Sequence, residues 1–325
     1  METQMRWLLL CFVFSSQAFA AKVLLIESYH SEYPWDQSYI QGLTAALTNT
    51  IELDTFQMDT KRIPKSSYAG KAIQAYAKYK SFKPDIVILG DDNALSYMLP
   101  MLFDEPISIV FLGINSNPRK LLSKYRGQAK VTGVLERPLF TKSLVELRKL
   151  FGTQDFKVKI LFDSGITSHI SKNYIKKQYA LIRDNLGIEV DMKTITTQQA
   201  WQREVLDAKR DSFKVIIVGL YQTLVDERGN SVPAEQIIRW TNQHSELPLF
   251  AFWDFAVGKK KAVGGVVLSG YSQGEQAARL VNKIISSGHN QPILMVTGTK
   301  GKAIYSEVER ARWNIEIPPH WQSID

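Results

Sequence analysis

The sequence has one cysteine, Cys11, among 325 residues. A lone thiol forms no internal disulfide and completes no cysteine metal cluster. It also lies inside the apolar run WLLLCFVF, Trp7–Phe14, so a chain cut after that run would hold neither a cysteine nucleophile nor a lipid-bearing cysteine. Long hydrophobic stretches are missing as well. That run is far short of the ~20 residues a membrane-spanning helix needs, and no other segment approaches it. No G-x-x-x-x-G-K-[ST] loop occurs, and no G-x-G-x-x-G follows a strand-like run, which removes the usual footholds for nucleotide hydrolysis and dinucleotide chemistry. Metal binding lacks both a D-x-D-x-D-G loop and a paired-histidine spacing. The net charge is +8, yet Lys and Arg are scattered, and the densest run, Lys259-Lys260-Lys261, reads as an exposed turn. Nucleic-acid binding would need basic residues clustered with aromatics on one face, so it is not expected.

What is present begins at the N-terminus. Arg6, the apolar run and Ala18-Phe19-Ala20 form the n-region, h-region and A-x-A cleavage site of a secretory signal peptide. Residues 1–20 are therefore expected to be removed ahead of Ala21. The remaining length is enough for about two domains with real cores, so export would not demand disulfides.

Short, β-branched apolar runs then alternate with helical patterns throughout. Strand-like runs are Lys22–Ser28, Ile51–Met58, Asp85–Gly90, Ile107–Gly113 and Val131–Leu135, followed by Lys157–Asp163, Ile188–Ile195, Lys214–Leu220, Leu247–Trp253 and Val263–Ser269. Helical patterns between them include Asp36–Leu47, Ser67–Tyr79, Thr141–Leu150, Ser168–Asn185, Ala234–His244 and Gln273–Ser287. Continuous apolar strands separated by amphipathic helices mean parallel sheets covered on both faces, the α/β doubly wound class. The rhythm divides into two sets of five strands, which predicts two lobes with a ligand cleft between them.

In such sheets ligands meet the carboxyl ends of strands. The residues there are Ser28, Tyr29, Tyr33, Trp35 and Asp36 after the first run, Asp91, Asp92 and Asn93 after the third, and Asn115 after the fourth. The second set supplies Asp163, Ser164, Tyr221, Trp253 and Asp254, and Tyr271 follows its last strand. Aromatics beside carboxylates and amides make a small-molecule pocket: rings stack on a flat ligand face and polar groups orient it. Core packing of Tyr33 and Trp35 is the competing reading, and helix capping competes for Asp92 and Asn93. His30 reads as a hydrogen-bonded structural group or a ligand contact.

Gly270-Tyr271-Ser272-Gln273-Gly274 matches the G-x-S-x-G nucleophile elbow between a strand and a helix. A hydrolase built on Ser272 would need an acid and a histidine on later strand ends. The chain after Gln273 is too short for them, and its histidines are His289 and His320. A glycine-bounded turn into a helix is the plainer reading, so no enzyme is expected.

The stretch VLLIESYHSEYPWDQSYIQGL, Val23–Leu43, resembles the opening of the ABC-transporter substrate-binding family that includes tryptophan- and tyrosine-binding members, in its S-Y-H-x-x-Y-P-W branch. The tail Ala311–Pro319 is similar to that family's closing pattern, with Arg312 and Trp313 where Leu-Gly is usual. The resemblance spans nearly the whole chain after residue 20. It implies a type I periplasmic-binding-protein fold: two doubly wound lobes joined by three crossings near Val131–Leu135, Val263–Ser269 and Pro292–Val296. Lobe 1 would be 21–132 plus 268–292, and lobe 2 would be 133–267 plus 293–325. It further implies a periplasmic monomer that closes on a small molecule, favouring an aromatic amino acid or a relative. Such a protein delivers its solute to an inner-membrane ABC permease or, alternatively, docks on a membrane sensor protein. No cofactor, metal or nucleic acid is implied.

Overall fold

The computed structural model describes residues 21–137, 139–288, 293–298 and 301–325. The expected signal peptide, Cys11, His289 and the start of the third expected crossing lie outside the described residues.

The chain opens as β1 (Ala21–Glu27), α1 (Pro34–Ala46), β2 (Ile51–Gln57), α2 (Tyr68–Phe82), β3 (Ile86–Gly90), α3 (Asp91–Leu102), β4 (Ser108–Ile114), α4 (Pro118–Lys124) and β5 (Lys130–Leu135). It continues as α5 (Phe140–Phe151), β6 (Phe156–Asp163), α6 (Ile166–Lys176), α7 (Tyr179–Leu186), β7 (Ile188–Ile195), α8 (Gln198–Asp207), β8 (Phe213–Val218), α9 (Ala234–His244), β9 (Leu249–Ala251) and β10 (Gly264–Val267). Last come α10 (Gly270–Ser287), β11 (Val296–Thr297), β12 (Lys302–Tyr305), α11 (Glu307–Trp313) and β13 (Gln322–Ser323).

Two sheets form, ordered β11-β5-β4-β3-β1-β2 and β13-β12-β10-β9-β8-β6-β7. Pairing is parallel throughout, except that β12 runs antiparallel to β10. Hydrophobicity tracks position in the sheet. Central β3 and β4 are buried at every residue, whereas edge strand β2, IELDTFQ, interleaves charges that keep its open side wet. The chain leaves the first sheet after β5, returns after β10 so that α10 packs on α1 and β4, and crosses again between β11 and β12. β5 runs to Leu135 in the first sheet, and β11 pairs with it at Val296–Thr297.

The single helix expected over Ser168–Asn185 is two. The break at Lys177–Gln178 lets Ile175 of α6 and Ile182 of α7 both bury, and Gln178 accepts a hydrogen bond from the Thr141 hydroxyl.

Gly270 and Gly274 owe their place to helix packing. A β-carbon on Gly274 would collide with the Tyr39 carbonyl oxygen, one on Gly42 with the Tyr271 carbonyl, and one on Gly270 would lie 2.8 Å from the Trp35 carbonyl. These glycines let α1 and α10 approach backbone to backbone. His320, the other half of the hydrolase reading, sits in the second lobe with its Nε2 3.0 Å from Glu146 Oε2. The G-x-S-x-G string is thus a helix contact that anchors the returning chain to the first lobe.

Candidate functional site

In both sheets the strand order reverses once, between β1 and β3 and between β6 and β8, and the loops at those points face each other across the lobes. This is where doubly wound sheets hold ligands.

On the first wall, Tyr29 donates from its hydroxyl to Asp91 Oδ1 at 3.1 Å, and Trp35 Nε1 donates to Asp91 Oδ2 at 2.9 Å. Asp91 opens α3 with φ of 73°, a left-handed backbone that asparagine and aspartate tolerate best and that tends to mark functional positions. The Tyr29 and Tyr33 rings meet edge to face, centroids 5.0 Å apart. Pro34 at the first position of α1 starts the helix where the chain must turn to bring Tyr33 and Trp35 inward.

The second wall brings Trp253, Phe255, Leu220, Tyr221 and Thr167. Phe255 lies 5.9 Å from Tyr33 across the cleft, and Tyr221 packs behind Phe255 at 6.2 Å. Trp253 Nε1 donates at 2.8 Å to Glu136, on the first crossing, and Glu136 accepts a second bond from Asn115 Nδ2 at 2.8 Å. The lobes are thus drawn together. The interior spaces along this seam are small, about 10 Å³ and 30 Å³. A wider opening of about 520 Å³ lies beside the crossings, lined by Asn117, Arg119, Arg137, Phe140 and Tyr174 among others. Arg137 there spends its guanidinium on the Ile114 and Glu136 carbonyls, which makes it a brace for the crossing.

Other residues singled out from sequence lie near this seam, Asp92, Asn93 and Asp163 lining its second space, and each has protein partners. The Ser28 hydroxyl donates to the Gly90 carbonyl and accepts from the Ala94 amide. Asp92 accepts the Asn115 and Ser116 amides, and Asn93 Nδ2 donates to the Thr60 hydroxyl. Asp36 is fully buried beside the Tyr39 hydroxyl. Asp163 accepts from the Gly165, Gln222 and Thr223 amides and the Ser168 hydroxyl. Ser164 is half-buried beside it, and Asp254 is half-buried at the turn after Trp253. Tyr271 does not join the group: it is 41 % exposed on the first turn of α10, its amide donating to Ser38 Oγ.

Five participants escaped the sequence reading: Lys61, Glu136, Thr167, Leu220 and Phe255. Glu136 directly follows β5 and Lys61 stands a few residues past β2, so applying the strand-end rule to every strand would have found them. Phe255 lies one residue beyond the Trp253-Asp254 pair that was named.

The electrostatics follow from burial. Asp91 is pushed up to about 7, first by desolvation and then by the Asp92 carboxylate, against the pull of Lys61 and its two donors. Burial, reinforced by Asp91, holds the Glu136 carboxyl well above its usual range, and the same pair of causes raises Asp36. Lys61 is lowered by desolvation, opposed by Asp163, Asp91, Asp36 and Glu136. Acidic side chains therefore outnumber basic ones in the seam.

No family model matches the sequence, and no curated protein does. Solved structures do match. The ABC domain in complex with L-Trp from Streptococcus pneumonia aligns with TM-score 0.67 and 15% identity, covering 94% of this chain and 99% of that one. A conserved domain protein from Vibrio cholerae gives 0.67 and 16%, with the same coverage. An ABC transporter solute binding protein from Agrobacterium vitis with bound allitol gives 0.59 and 12%, covering 91% and 99%. Along nearly its whole described length, then, the chain has the type I periplasmic-binding fold, which it shares with ABC-transporter solute-binding proteins.

Proposed function

We propose that the chain is a periplasmic solute-binding protein that closes its two lobes on a small organic molecule and presents it to an inner-membrane ABC permease. The observation that carries this reading is the seam itself. Tyr29, Tyr33, Trp35 and Asp91 from one switch point face Trp253, Phe255 and Leu220 from the other, with Glu136 on the crossing tied to both walls. Rings on both sides suit a solute with a flat or apolar face, and the carboxylates suit its donor groups. An aromatic amino acid or a related metabolite meets both demands. Lobe 1 on this reading is 21–135 plus 268–297, lobe 2 is the remainder, and cleavage ahead of Ala21 releases the protein into the periplasm.

Native mass spectrometry of protein purified without denaturation tests this. The expected result is a chain starting at Ala21 that carries a small organic adduct, released on unfolding. A chain with no such adduct that binds only metal ions on titration would overturn the reading.

A further inference from the structure

Lys61 stands in the middle of the seam, in the loop between β2 and α2. The backbone on either side of it is fixed. The Thr60 amide and hydroxyl both donate to the Ser28 carbonyl, at 3.0 and 2.7 Å, and Arg62 Nε donates to Asp59 Oδ1 at 2.8 Å. The side chain is held differently. Its Nζ lies 4.2 Å from the centroid of Tyr29 and 4.6 Å from that of Tyr33, over the two rings that meet at 90°. Among the described residues it makes no hydrogen bond and no ion pair. Yet Asp163, Asp91, Asp36 and Glu136 all act on it electrostatically, from both walls and the crossing. An ammonium over two aromatic faces, with carboxylates beyond, is the arrangement that recognises organic cations. Lys61 also lines both small interior spaces, of about 10 Å³ and 30 Å³, so its side chain divides room that a solute would need.

We infer that the Tyr29–Tyr33 corner is a subsite for the positively charged ammonium group of the solute, and that the Lys61 ammonium holds this subsite as a tethered competitor until the solute displaces it. The inference rests on the proposed solute-binding role of the cleft. The rings set the sign of the ligand. The faces of Tyr29 and Tyr33 attract a cation and not an anion, and an ammonium ion replaces Lys61 charge for charge while Lys61, carried on a loop and partly exposed, swings toward water. The ligand class is therefore a primary ammonium on a compact apolar body.

The test is calorimetric titration of the full chain with 2-phenylethylammonium and with 3-phenylpropionate, a carboxylate of similar shape. Lys61→Met removes the competitor and keeps most of its apolar stem, and Lys61→Gln serves if that variant folds poorly, as its melting curve would show. Either variant should bind 2-phenylethylammonium roughly tenfold or more tightly than the unaltered protein, with no gain for 3-phenylpropionate. Lys61→Arg, which keeps the cation, should show no gain. Ammonium binding that is unchanged or weaker in Lys61→Met and Lys61→Gln, or a gain for the carboxylate, would overturn the assignment. The adduct from native purification separates this failure from that of the parent reading. An adduct lacking an ammonium group sinks the subsite alone. An adduct retained undiminished by Asp91→Asn sinks the cleft itself.

Discussion

Asp91 and Asp163 stand on opposite sides of the cleft, each where a strand flanking a switch point ends, β3 in one lobe and β6 in the other, and they do opposite things. Asp163 turns its carboxylate back on its own lobe, accepting three backbone amides and a serine hydroxyl, and so ties together the loops after β6 and β8. Among the described residues Asp91 accepts from side-chain donors alone, the hydroxyl of Tyr29 and the indole of Trp35. One aspartate shapes a wall and the other aims the rings on it. The position of an acid at a strand end shows that a cleft is being built there, but its partners decide whether it builds or binds.

That contrast breaks most easily by truncation. Asp163→Ala strands three amides, one buried and two part-buried, and should cost about 3–5 kcal/mol in urea unfolding. Asp91→Asn keeps an acceptor for Tyr29 or Trp35 and should cost no more than about 1–2 kcal/mol. Equal costs would end the division of labour.

A second contrast uses one substitution in two helices. Gly274→Ala drives a methyl into the Tyr39 carbonyl at the α1–α10 contact and should destabilise by about 3 kcal/mol. Gly70→Ala in α2, where an added β-carbon meets nothing within 4 Å, should stabilise by about 0.5–1 kcal/mol. If both substitutions act alike in thermal melts, the α10 glycines have some task other than close packing.

Smaller still is a proton effect beneath the first wall. Glu27 ends β1 with its carboxyl buried, and burial, opposed by the Gln57 side chain, pushes it up to about 7. Its folded pKa exceeds its unfolded value, so the folded state holds the extra proton. Stability should be greatest below about pH 4.5 as far as this group is concerned, and should fall as pH rises toward 7 and level off above it. Glu27→Gln should flatten that slope and add about 1–3 kcal/mol at pH 8, read from unfolding curves at pH 5 and pH 8. A slope that survives the substitution belongs to other groups.

The lobes themselves were legible because their evidence is repetitive. Each of the ten apolar runs is a strand within a few residues, and the crossings fall where the β–α rhythm breaks. β11, β12 and β13, two to four residues long, carry too little pattern to stand out. The site was legible only as a neighbourhood. Tyr29, Tyr33, Trp35, Asp91 and Trp253 converge, but nothing local distinguishes Asp91 from Asp92, which turns to the β4–α4 loop instead. Tyr271 was drawn in because it follows the strand-like run Val263–Ser269, and it stands exposed on the first turn of α10. Lys61 looks like any loop lysine until the two tyrosines are found beneath it, a contact spanning some thirty residues of sequence that no local pattern encodes.

The most direct test of the cleft as a solute site is a thermal-melt screen of amino acids, aromatic metabolites and small sugars, run in parallel on the unaltered protein and Asp91→Asn. A true solute at a hundredfold excess over its dissociation constant should stabilise the unaltered protein by about 2.7 kcal/mol, a rise of a few degrees. Asp91→Asn should melt near the unaltered protein without solute and lose most of that rise with it. A solute that stabilises both proteins equally, or a screen in which only divalent metals raise the melt, would contradict the account.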